Sequence, residues 1–248
     1  MTDLAYMVRE DWAQHGTAMV PQSAVIRDWI GEPPYLFAVT SVKKFNANDR
    51  SVDLETAQFI APNPATRKVF NISELASLGN NGEVLDRAIV VLHPYEQGDL
   101  EALASAVEHE SINKVFVMIW SPQEIVRTWL DGRGAMNLHT GEALAAPDPL
   151  MVAAAESMID EEYNGLSSGR GKDAVVQLVR AFAAEGYPVE VDPWLRAYFA
   201  AGGTFRHAES ISKLVKEMKA GTQHRVKQRY VQNIVEVLRD RVTAPAES

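Results

Sequence analysis

Two uninterrupted apolar runs, IVVL at 89–92 and VFVMIW at 115–120, flank a segment at 99–110 in which Leu100, Leu103, Ala104 and Val107 recur at helical spacing. Short runs without polar alternation mark strands covered on both faces, and a helix between two of them implies a right-handed crossover between parallel partners. This pattern predicts a βαβ unit and so a layered domain, and the rest of the chain is read around it.

Upstream, Leu4, Met7, Val8 and Trp12 have helix-like spacing, and Val25, Ile26, Trp29 and Ile30 form a second apolar group that ends at Gly31-Glu32-Pro33-Pro34. Residues 35–45 (YLFAVTSVKKF) and 52–61 (VDLETAQFIA), separated by a turn-rich stretch at 46–50, predict an antiparallel hairpin because both arms carry β-branched and aromatic residues. A third strand is expected at 67–72. Downstream of the βαβ unit, Ser121, Pro122 and Glu124 have the spacing of a capping box and predict a helix over 122–130.

The glycine-bearing stretch 131–146 lacks periodicity, and Asp148-Pro149 reads as a cap followed by an N1 proline. Beyond it the strand signals stop. Helices are expected at 149–163, 172–185, 193–201, 205–220 and 223–241. The predicted fold class is therefore α+β overall. A mixed α/β domain over 1–146, built from an antiparallel hairpin and a βαβ unit, precedes an all-helical bundle over 147–242 and a frayed tail at 243–248.

With 46% hydrophobic and 23% charged residues the 248-residue chain has globular composition, and no window approaches the roughly 20 apolar residues that span a bilayer. Acidic residues occupy the start, where a signal peptide needs a basic region, so a cytoplasmic protein without a membrane partner is expected. The absence of cysteine removes thiolate catalysis and Cys-based metal sites. The six histidines include no i, i+3 or i+4 pair, and neither a metal site nor a cofactor is expected.

The loop NGLSSGRGK at 164–172 resembles a phosphate-binding loop, but Leu166 stands where the first glycine is needed and Asp173 replaces the hydroxyl. A calcium loop beginning at Asp160 fails at Gly171, where a bidentate acid is required. Ligands of open α/β sheets bind beyond the carboxyl ends of the strands, which selects His93, Tyr95 and Glu96 near Trp120 and Ser121 as candidate catalytic residues. Asp131, Arg133 and His139 are candidates to fold over the same crevice.

The strongest charge asymmetry lies at 203–230, with seven Lys or Arg against two Glu, while residues 1–202 carry 15 against 28. Two helices meeting at Gly221 would present a basic edge of Arg206, His207, Lys213, Lys216, His224, Arg225, Lys227 and Arg229. A helix–turn–helix reading fails at Glu217 and Lys227, where that motif takes a small residue and a buried aliphatic. The edge suits nucleic acid or another polyanion; the same charges also suit a solvated face, or docking on the acidic body that includes Asp160, Glu161 and Glu162. Three function classes follow. The first is a binding protein for an anionic partner, the second an enzyme with a crevice near His93 and Trp120, and the third a homo-oligomeric interaction protein without catalysis.

Overall fold

The computed structural model describes residues 2–9, 19–47, 51–77, 85–109 and 112–244. Trp12, the turn residues 48–50, Glu110 and the tail from 245 lie outside the described residues. The chain divides into two compact units, Met1–Leu144 and Ala145–Ser248.

The first unit is a mixed α/β layer structure. Strand β1 (Asp3–Val8) precedes helix α1 (Met19–Ile30), β2 (Tyr35–Val39), α2 (Val42–Ala47), α3 (Val52–Ile60), β3 (Arg67–Asn71), β4 (Leu85–Leu92), α4 (Gln97–Glu108), β5 (Ile112–Ile119), α5 (Ile125–Gly132), β6 (Met136–Asn137) and β7 (Glu142–Ala143). The sheet order is β3-β2-β4-β5-β1-β6-β7. All neighbours run parallel except the β6/β7 pair. The β4–α4–β5 unit is the expected parallel crossover.

Strand pleating divides the buried residues into two sets. Ala5, Met7, Phe37, Val39, Val90, Leu92, Phe116 and Met118 form one cluster with Ile26 and Ile30 of α1, Phe45 of α2, and Ala57 and Ile60 of α3. The alternate positions, Tyr6, Ala38, Ile89, Val91, Val115, Val117 and Ile119, are buried as well. Both faces are therefore covered, as parallel strands require.

Four expectations are corrected in this unit. Residues 4–8 form a strand inside the sheet, where pairing with β5 and β6 satisfies both backbone edges and Ala5, Tyr6 and Met7 are buried, and this overrides the helix-like spacing. The antiparallel hairpin does not exist: only 35–39 is a strand, its neighbours are parallel, and 52–60 is a helix that buries Thr56, Ala57 and Ile60 along one side. The capping-box residues close a turn ahead of α5, which starts three residues later than expected. There Ser121 Oγ accepts from the Gln123 amide at 3.3 Å and Glu124 Oε2 from the Trp120 amide at 3.4 Å. Residues 131–146, read as irregular, contain the short β6/β7 hairpin.

The second unit contains α6 (Pro149–Ile159), α7 (Gly169–Ala184), α8 (Val191–Ala200), α9 (Phe205–Lys219) and α10 (Ile234–Thr243). Asp148 caps α6 by accepting from the Leu150 amide at 2.7 Å, with Pro149 at N1. Its core includes Phe182, Trp194, Tyr198 and Phe199, all essentially inaccessible. No strand interrupts the helices among the described residues of this unit.

The helix expected over 223–241 is corrected to an irregular strap at 222–233 followed by α10. Side chains of α7 occupy the strap's backbone groups. Arg180 donates to the His224 carbonyl at 2.7 Å, and Gln177 Oε1 accepts from the amides of Arg229 and Tyr230 at 2.8 and 3.1 Å. Backbone groups satisfied by side chains in this way have less need of a helix. No described helix is long and apolar enough to cross a membrane.

Candidate active site

The parallel strands β2 and β4 are adjacent, but their onward connections lead to opposite sides of the sheet. The connection from β2 leads to β3 on one side and that from β4 to β5 on the other, so their carboxyl ends form a topological switch point, where open α/β sheets leave a crevice. A cleft of about 200 Å³ lies there, lined by residues including Thr40, Ser41, Lys44, Asp53, His93 and Trp120.

His93 directly follows β4 and extends its pairing by donating its backbone amide to the Met118 carbonyl at 2.8 Å. Regular pleating would send residue 93 to the face opposite Leu92. Instead His93 has φ 46°, the only positive φ of a non-glycine residue among those described. This left-handed backbone is uncommon for a residue with a Cβ, and such outliers concentrate at functional sites. The ring meets α3, with Nδ1 at 2.6 Å from Asp53 Oδ1, and stacks on Trp120 at 4.4 Å between centroids.

His93 is only 3% exposed, and its Nε2 has no hydrogen-bond partner. Burial lowers its pKa; the hydrogen bond and charge of Asp53 oppose that shift, and Arg9 adds to it. A carboxylate can only accept, so Nδ1 carries the proton and Nε2 retains its lone pair. The ring is thus a neutral base with one fixed tautomer.

Arg9 follows β1 in the same way, donating its amide to the Ile119 carbonyl at 2.7 Å. Its guanidinium lies 5.4 Å from the Trp120 ring centroid and 2.6 Å from Glu55 Oε2, and also bonds Thr56 Oγ1. Burial lowers the Arg9 pKa and the neighbouring Glu55 charge opposes the shift. On the other side of the crevice Thr40 Oγ1 donates to Asp99 Oδ2 at 2.6 Å. Burial raises the Asp99 pKa, the Thr40 bond opposes this, and Glu96 reinforces it.

Of the sequence candidates, His93, Tyr95 and Trp120 line the cleft, Tyr95 being exposed. Glu96 is the N-cap residue of α4 without a capping side-chain bond, and it does not line the cleft. Ser121 bonds locally to Gln123. Asp131 holds Tyr6 Oη at 2.7 Å and Arg127 at 2.6 Å, Arg133 pairs with Glu108 at 2.6 Å, and His139 Nε2 meets the Val8 carbonyl at 2.9 Å; none of the three lines the cleft. Sequence reasoning missed Asp53, Arg9, Thr40 and Lys44. The available signal was positional: Arg9, Thr40, His93 and Trp120 each occupy the first place after a strand.

Part of the expected basic edge of the second unit meets at one cleft. Lys213, Lys216 and His224 line a cleft of about 740 Å³ with Lys172, Glu209 and Glu217. His224 Nε2 lies 3.4 Å from Glu217. Arg206 is exposed and His207 half-buried in the first turn of α9, Arg225 and Lys227 are exposed on the strap, and Arg229 pairs with Glu161. Among the described residues no group of three or more His, Cys, Asp or Glu is arranged to hold a metal.

The fold and the site define a mixed α/β protein with a seven-stranded sheet and a polar crevice at its switch point, joined in sequence to a helical unit. Comparison with protein-family models, with curated proteins and with solved structures returned no match.

Proposed function

We propose that the α/β unit is an enzyme acting on a small molecule, with His93 as general base and Asp53 as the residue that orients it. The supporting observation is the His93 ring itself: buried, held in a left-handed backbone, bonded through Nδ1 to Asp53 and unpartnered at Nε2. Nε2 takes a proton from an O–H or N–H of the ligand or from a bound water, and the resulting imidazolium is stabilised by Asp53 before the proton is returned. Trp120 fixes the ring plane.

The test compares the wild type with H93N across p-nitrophenyl acetate, butyrate and phosphate. Asparagine tolerates the left-handed backbone and supplies no general base. General-base catalysis contributes about 10²–10⁴-fold, so a loss of at least about a hundredfold in turnover of the accepted ester is expected. Turnover retained in H93N refutes the reading.

A second reading, a binding surface for nucleic acid or another polyanion on the helical unit, is favoured by one observation. Lys172, Lys213 and Lys216 surround the larger cleft, and no ion pair is formed by any of them among the described residues. Changing all three to Ala is expected to lower the salt concentration at which the protein leaves heparin. Unchanged retention removes this reading.

A further inference from the structure

The crevice contains a second set of groups that His93 does not use. Helix α3 starts at the cleft with Ser51 at its N-cap, and no side chain caps it. Its first intrahelical bond runs from the Glu55 amide to the Ser51 carbonyl at 2.9 Å, so the amides of Val52, Asp53 and Leu54 precede the ladder. Lys44 of α2 faces the same cleft and has no ion pair among the described residues. Ser41 Oγ accepts from the Lys44 amide at 3.3 Å, which leaves its hydroxyl proton available, and the Ser51 hydroxyl has no hydrogen-bond partner among the described residues.

Each carboxylate near this donor set has a hydrogen-bond partner. The Asp53 carboxylate is engaged by His93, Glu55 by Arg9, and Asp99 receives the Thr40 hydroxyl from the opposite side. Lys44 forms no ion pair among the described residues, and the leading amides of α3 remain as donors while Asp53 and Glu55 of the same turn are bonded to His93 and Arg9. His93 lines the same cleft, and its buried Nε2 without a hydrogen-bond partner is an independent sign that a ligand belongs there.

We propose that the ligand of this crevice is a small molecule bearing an oxyanion, phosphate or carboxylate, which sits against the first turn of α3 and is held by Lys44, Ser41 and Ser51. The neighbouring part of the ligand then meets Nε2 of His93. The inference rests on the reading of His93 as a base only for what happens after binding. The anion seat itself requires α2 and α3 alone.

The experiment follows the His93 ring resonance while the full-length protein is titrated separately with inorganic phosphate and with acetate. Saturable binding of at least one anion is expected, with His93 protonating at higher pH when the seat is filled, because a nearby negative charge favours the imidazolium. The arm that saturates tells phosphate from carboxylate. Lys44 is exposed, and K44M is expected to fold and to weaken binding at least about tenfold, since it removes the only full positive charge of the donor set. The S51A variant is expected to weaken it less.

In H93N, followed by tryptophan fluorescence, anion affinity is expected to stay within about threefold of the wild type. Absence of a His93 response to either anion, or unaltered binding in K44M, overturns the anion seat even if H93N abolishes turnover. Conversely, anion binding that depends on Lys44 together with turnover unaffected by H93N supports the seat and refutes the base.

Discussion

Acidification is the perturbation that most directly probes the His93 environment. The unfolded imidazole protonates near 6.5, whereas burial against Trp120 holds the native ring below that value. Between those two points the unfolded chain binds a proton that the native protein refuses. Stability attributable to this residue is therefore complete above about pH 6.5 and declines as pH falls towards the native pKa, with a limiting slope of about 1.4 kcal/mol per pH unit for one proton. Below the native pKa the decline stops, because both states are then protonated.

For a ring that stays neutral in the native protein between about pH 7.5 and 5.5, the loss is on the order of 1 kcal/mol. Other groups titrate in the same range, so the informative quantity is the difference between the wild type and H93N. Urea titrations read through tryptophan fluorescence suit the purpose, as four of the five tryptophans belong to the first unit. H93N is expected to lack this component and to give a flatter dependence. In D53N, which removes the two interactions that favour the imidazolium, the decline should extend to lower pH. Equal pH slopes in wild type and H93N, or a native ring that titrates at or above 6.5, would refute the reasoning.

Three further outcomes are expected. T40V removes the hydroxyl that donates to Asp99 and should cost about 1–3 kcal/mol at neutral pH, with the penalty shrinking on acidification as Asp99 becomes protonated; urea titration at two pH values measures this. In G203A the new Cβ would lie 2.3 Å from a ring carbon of Tyr198, a buried side chain bonded to Glu162 and to the Thr204 amide, so the thermal midpoint should fall in line with about 1–3 kcal/mol of overpacking; an unchanged midpoint contradicts the packing described. Q177A exposes the amides of Arg229 and Tyr230, whose hydrogen exchange should accelerate by about an order of magnitude while that of the α7 interior stays the same.

The parallel pair at 89–92 and 115–120 was legible because buried strands leave continuous apolar runs, and the α6 start because Asp148-Pro149 combines a cap with a fixed φ. The segment 52–60 was not. Its alternation of Val52, Leu54 and Thr56 imitates a strand, and only burial of Thr56, Ala57 and Ile60 against the sheet reveals the helical repeat. Reading it as a hairpin arm concealed Asp53 from the site, since a helix is what brings that carboxylate to His93. Strand β1 escaped notice for a related reason: six residues are too few for periodicity to separate helix from strand, and pairing decided the outcome. His93 was found from strand-end logic alone, whereas its left-handed backbone left no trace in the sequence.

The strap at 222–233 has a kinetic consequence. A helix opens by breaking a ladder of cooperative backbone bonds, but this segment is fastened at a few points, by Gln177 and Arg180 of α7, by the Arg229–Glu161 pair and by the Tyr230 hydroxyl on the Ser157 carbonyl. It can detach as a small independent foldon while the helices beneath remain folded. Its exposed Arg225 and Lys227 give trypsin a recognised cleavage site, so the first nick in limited proteolysis of the helical unit should fall within the strap and leave α7 and α9 intact.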